Sequence, residues 1–196
     1  MVQEVSRASS AHVIGRYLFV LVEQNDFATP LREELHRQVR PFAAALKSQG
    51  SIAIAMPNRQ VEFMQEVLSK SWPDGVLERL YREFDPALIV VEKDWQDFDP
   101  SQDSYAIVWI TDVEQGQIAA MLHNLAMRAA HHTDDLIEHL RGVADRTMKA
   151  RAAEAAKRGT GWLARLASYI ELKPQVFGVT IDLQALLRDI SELRDG

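Results

Sequence analysis

The sequence predicts an α/β fold: a small four-stranded mixed sheet with flanking helices, followed by a long helix and a C-terminal amphipathic helical element. Three observations carry that expectation. Apart from the terminal Arg16 and Glu92, the runs RYLFVLV (16–22), ALIVVE (87–92) and YAIVWI (105–110) are continuously apolar and rich in β-branched residues, as in strands buried on both faces. Between them lie segments whose apolar residues recur every three or four positions, the helical period. From about residue 117 that helical period runs on without a strand-like break.

The elements follow in order. After the first strand, Thr29 and Pro30 make a helix start, the hydroxyl at the N-cap and the proline at the first helical position. Leu31, Leu35, Val39, Phe42 and Leu46 continue the helix to about residue 48, and Pro41 inside it predicts a kink. SIAIAM (51–56) is the second strand. Residues 60–70 and 75–84 form two helices split by the breaker WPDG. ALIVVE and YAIVWI are the third and fourth strands. The first three strands are readable as parallel, whereas the helix-free link of 93–104 predicts that the fourth returns antiparallel.

One helix is expected from about 117 to 157, with Ile118, Leu122, Leu125, Ala129, Leu136, Leu140 and Val143 on one stripe. Beyond Val143 the segment ADRTMKARAAEAAKR has high helix propensity and little to bury, which describes a solvated spacer. Gly159 and Gly161 end it. A short amphipathic helix follows, and VFGVTIDLQALLRDISEL reads as a strand or turn leading into a last helix. The expected organisation is therefore an α/β head (12–112), a long helix with basic spacer (113–158) and a C-terminal docking element (159–196).

Composition narrows the function classes. The chain has no cysteine, which excludes a disulfide framework, a thiolate nucleophile and cysteine-ligated zinc or iron–sulfur centres. Its longest N-terminal apolar run, YLFVLV, is six residues, shorter than a secretory apolar region or a membrane span, so a cytoplasmic protein is expected. A formal charge of −6 argues against a general nucleic-acid binder. Charge is uneven: residues 85–114 hold eight acids and one base, residues 141–173 eight bases and three acids. Such asymmetry favours docking, head-to-tail assembly or an acidic partner. A membrane-surface role fits poorly, because the bases and the apolar residues fall in different helices.

Three constellations invite chemistry. Asp94, Asp97, Asp99 and Asp103 crowd the loop KDWQDFDPSQDSY. Asp97, Asp99, Ser101 and Asp103 match oxygen-ligand spacing in a calcium loop, but Gln102 replaces the required glycine and Val108 the closing glutamate. Asp99-Pro100-Ser101 is instead turn chemistry, with Trp95 and Phe98 to pin the loop. Acids also follow strands: Glu23 and Asp26 the first, Glu92 and Asp94 the third, Asp112 the fourth. Carboxylates gathered beyond strand ends suit Mg²⁺. Finally, His132, Asp135 and His139 share a helix face at i, i+3 and i+7, where two imidazoles and a carboxylate suit zinc or an acid–base pair. The glycine-rich, GK[ST], GxSxG and HExxH motifs are absent.

The sequence therefore points to a non-enzymatic interaction or assembly module, an adaptor or regulatory subunit with a protein partner or a second copy of itself. The docking surface is expected from Trp162, Leu163, Leu166, Tyr169, Ile170, Leu183, Leu186, Leu187 and Ile190, beside Arg151, Lys157 and Arg158. No cofactor is expected under this reading. The alternative is a metal-dependent enzyme for a phosphorylated or nucleotide substrate, using the strand-end carboxylates (Glu23, Asp26, Glu92, Asp94) or the His132/Asp135/His139 face and a divalent metal.

Overall fold

A computed structural model of the chain describes residues 1–23, 29–83, 86–110, 115–131, 135–157 and 178–182. It is an α/β fold with a mixed sheet flanked by helices. The strands are β1 (Val2–Val5), β2 (Tyr17–Val22), β3 (Gly50–Ala55), β4 (Ala87–Val91), β5 (Tyr105–Trp109) and β6 (Gly178–Asp182). The helices are α1 (Thr29–Leu46), α2 (Gln60–Leu68), α3 (Asp74–Glu78), α4 (Gln115–His131) and α5 (Leu136–Lys157). A π-helical turn, Arg79–Glu83, extends α3.

Four strands match the apolar runs, and two more flank them. The order across the sheet is β1-β3-β2-β4-β5-β6. β1 lies before the expected head and β6 after it. Both are edge strands whose sequences, VQEV and GVTID, mix polar with apolar residues and so lack the unbroken apolar run of the central strands, although the stretch holding β6 is readable as a strand or turn.

Why the chain builds this sheet is visible in β2. All six of its residues are buried. Tyr17, Phe19 and Leu21 point to one face and Leu18, Val20 and Val22 to the other. Because side chains alternate across a strand, a run of six aliphatic and aromatic residues needs cover on both sides. α1, α4 and α5 supply one layer through Leu35, Val39, Phe42, Leu46, Ile118, Leu122, Leu125, Leu136, Leu140 and Val143. α2, Trp72, Leu80 and the loop aromatics Trp95 and Phe98 supply the other. Phe19 and Phe42 meet edge-on with ring centroids 5.0 Å apart. Pro41 sits on the solvent side of α1, where the carbonyl it leaves unbonded can meet water.

Strand direction corrects one expectation. β1, β2 and β3 are mutually parallel, but β4 runs antiparallel to β2, with Val22 opposite Ala87. The reason is the pair of segments α2 and α3, split at Trp72-Pro73. β3 ends and β4 begins at the same edge, so the two segments carry the chain out and back rather than across. β5 is antiparallel to β4 as expected, and β6 is parallel to β5. Among the described residues, five strands thus end at one edge, here called the carboxyl edge, and β4 alone begins there.

The expected single helix 117–157 is two. α4 stops at His131 and α5 restarts at Leu136 with its own cap. The apolar stripe nevertheless faces one core, and α5 lies against β6 and β5. No helix among the described residues is long and apolar enough to cross a membrane.

One glycine is required by the fold. Gly15 has φ +89°, and a Cβ there would meet the Ser48 carbonyl oxygen at 2.0 Å. The next residues, Arg16 and Tyr17, donate their amides to the Gln49 carbonyl at 2.9 and 3.0 Å, which locks the entry to β2. Gly15→Ala is expected to lower unfolding free energy by about 3 kcal/mol, from the left-handed conformation plus the backbone clash, as read by chemical denaturation.

Candidate functional site at the carboxyl edge of the sheet

The aspartate loop is a self-contained turn. The Asp99 carboxylate accepts from the Ser101 amide (2.9 Å), the Ser101 hydroxyl (2.7 Å) and the Gln102 side chain (3.2 Å). These bonds, the Ser101 hydroxyl foremost, hold its carboxyl below the ordinary range. Asp103 accepts from the Asp99 amide at 2.9 Å and pairs with Lys93 at 2.5 Å. Lys70 donates to the Phe98 carbonyl at 2.6 Å, and Trp95 and Phe98 are buried against Trp72 and Tyr105. Burial without a partner pushes the Tyr105 phenol up to about 12.

The strand-end acids divide. Glu92 and Asp94 follow the antiparallel β4 and so lie at the amino edge, about 20 Å along the strands from Glu23. Glu92 accepts from Arg16 Nε at 2.8 Å. Asp94 pairs with His12 (3.0 Å) and accepts from the Val13 amide (2.6 Å), fixing the loop before β2. The hydrogen bond from His12 is the main reason its carboxyl titrates below the ordinary range. Asp26 and Asp112 lie outside the described residues. Among the described residues, no three histidine or acidic side chains converge as a metal site.

The histidine face also resolves into structure. His132 lies outside the described residues, while Asp135 is the N-cap of α5. Its Oδ1 accepts from the amides of Ile137 (2.8 Å) and Glu138 (3.4 Å). The Leu136 amide donates to the Tyr17 hydroxyl at 2.9 Å, and the His139 amide to the Asp135 carbonyl at 2.8 Å. The three first-turn amides without an intrahelical carbonyl, those of Leu136, Ile137 and Glu138, are thus met by side chains, which lets the helix start against the core. Asp135 Oδ2 pairs with Arg16 at 3.1 Å, and His139 Nδ1 faces Arg128 at 3.3 Å. Asp135 and His139 thus have separate partners.

Glu23 is different. It follows β2 directly, and only 7% of its surface is exposed. Its Oε1 accepts from His36 Nε2 at 2.6 Å and from Arg32 Nε at 3.3 Å. Arg32 and His36 are four residues apart, hence on one face of α1 within its first two turns. Glu23 Oε2 is buried and has no hydrogen-bond partner among the described residues. Leaving a buried acceptor unmet costs about 1–3 kcal/mol, more when it is charged. The hydrogen bond to Glu23 raises the His36 pKa above its usual 6.5, against burial and the neighbouring Arg32. His36 Nδ1 and the two Nη atoms of Arg32 make no hydrogen bond among the described residues. Arg32 and His36 were not among the sequence candidates. The available signal was a basic i, i+4 pair opening the helix after an acid that ends a buried strand.

The predicted docking residues are mostly beyond view. Trp162, Leu163, Leu166, Tyr169, Ile170, Leu183, Leu186, Leu187, Ile190 and Arg158 lie outside the described residues, while Arg151 and Lys157 lie on the backbone of α5. No family model matches the chain, and no curated protein or solved structure shows significant similarity to it.

Two outcomes test these assignments. Asp135→Ala is expected to lower stability by about 1–2 kcal/mol in denaturant unfolding, while Asp135→Asn, which keeps a cap acceptor, costs less than about 1 kcal/mol. His36 stabilises the fold in its protonated form, so its contribution is complete below 6.5 and fades as pH rises through the higher folded value. Melting temperature should therefore fall as pH is raised above 6.5 in the parent, and fall less in His36→Gln.

Proposed function

We propose that the protein is a non-enzymatic interaction or assembly module, an adaptor or regulatory subunit acting in the cytoplasm, which docks through its C-terminal element onto a protein partner or a second copy of itself. The observation that carries this reading is β6. A strand from the C-terminal segment forms the outermost position of the sheet, pairing residue by residue with β5 from Tyr105↔Gly178 to Trp109↔Asp182. The apolar residues Leu183, Leu186, Leu187 and Ile190 follow directly from that strand. A segment leaving an edge strand is well sited to extend the sheet or its flanking layer into a neighbour.

The partition of acids between the two sheet edges weighs against the metal-dependent enzyme, since Glu92, Asp94 and Asp135 each hold a loop or a helix start. The position of β6 also decides where to cut. Truncation at 158 removes a strand of the sheet, whereas truncation after Asp182 keeps it. Light-scattering mass of the full chain and of residues 1–182 is expected to show an oligomer and a folded monomer, respectively. Equal masses for both, with no loss of partner capture on truncation, would refute docking through residues 183–196.

A further inference from the structure

The group of Glu23, Arg32 and His36 has three open valences of complementary kind. Glu23 Oε2 is a buried acceptor, the Arg32 Nη atoms are donors, and His36 Nδ1 is a second ring nitrogen on a partly exposed side chain. Glu23 is nine-tenths buried, so its free oxygen is not simply hydrated in bulk solvent. The location adds a second argument. From the end of β2 the chain crosses one face of the sheet as α1 to reach β3. From β3 it crosses the other face to reach β4, on the opposite side of β2. Connections that part over opposite faces leave a crevice at the carboxyl end of the strand between them, which is where open α/β sheets hold ligands.

Charge selects the ligand class. One carboxylate faces one guanidinium and an imidazole that its own hydrogen bond keeps protonated to higher pH. The sum ranges from zero to plus one, which offers a divalent cation no net attraction and tolerates an anion. A bare anion, however, would leave Oε2 unmet, since a carboxylate can only accept. We propose that this cluster binds a small hydroxylated anion, its phosphate or carboxylate held by Arg32 and its hydroxyl donated to Glu23. The site is separate from the C-terminal docking element, so it stands or falls independently of the assembly reading.

The test uses the full chain and defined probes. Ribose 5-phosphate and malate represent the two sources of such an anion, and sulfate, succinate and ribose each lack one of the two functions. At equal millimolar concentration, ribose 5-phosphate or malate should raise the melting temperature and shift the His36 ring resonances, and the single-function probes should bind at least tenfold more weakly. Arg32→Gln and Glu23→Gln should each weaken binding tenfold or more. Should Glu23→Gln fail to fold, Arg32→Gln, on a residue one-quarter exposed, carries the test alone. A response to ribose 5-phosphate alone assigns a phosphate, and to malate alone a carboxylate. No response to either, an equal response to sulfate or succinate, or undiminished binding in Arg32→Gln would overturn the proposal.

Discussion

Burial of β2 on both of its faces is the constraint on which the rest of the structure depends. Six consecutive buried residues, with the Tyr17 hydroxyl as their one side-chain polar group, lie between β3 and β4. Both sheet faces there must be roofed, which requires the chain to cross over one face as α1 and over the other as α2 and α3. The same crossings place the first turns of α1 against Glu23. They also carry the loop aromatics to the far face, where Trp72, Trp95, Phe98 and Tyr105 pack ring on ring. Layering is thus a consequence of strand composition rather than of any helix taken alone.

The two edges of the sheet handle their polar groups differently. At the amino edge Arg16 bridges Glu92 and Asp135, its guanidinium lying 5.0 Å from the Tyr17 ring centroid, and the Tyr17 hydroxyl receives the first amide of α5. That node ties β2, the end of β4 and the start of α5 together, and its charges have their partners within the fold. At the carboxyl edge one oxygen of Glu23 accepts two hydrogen bonds and the other has no partner among the described residues. A stable fold tolerates few such atoms, and this one lies where chain connections diverge.

Legibility varied for physical reasons. Strands β2, β4 and β5 announce themselves because two-sided burial demands unbroken apolar runs. The stripe from Ile118 to Val143 was readable because each residue meets one core, even though the helix is interrupted. The interruption itself was missed, since Asp135 looks like a ligand when it is placed mid-helix and like a cap only when the helix is known to start there. The aspartate loop was legible as a turn because Asp99-Pro100-Ser101 makes its bonds locally. Arg32 and His36 were missed because their meaning depends on Glu23, nine and thirteen residues away.

By itself the sequence determined what is periodic or local: the α/β class, the central strands, the core stripe, the self-bonded turn and the absence of thiol chemistry. These follow from side-chain spacing and from bonds between near neighbours, which a linear pattern encodes directly. Tertiary structure alone decided the antiparallel direction of β4, the recruitment of β1 and β6 as edges, and the separation of Glu23 from Glu92 and Asp94. Each of these depends on where a connection of several elements brings the chain back, and a reversal between α2 and α3 leaves the apolar pattern of β4 unchanged while sending its acids to the other end of the sheet.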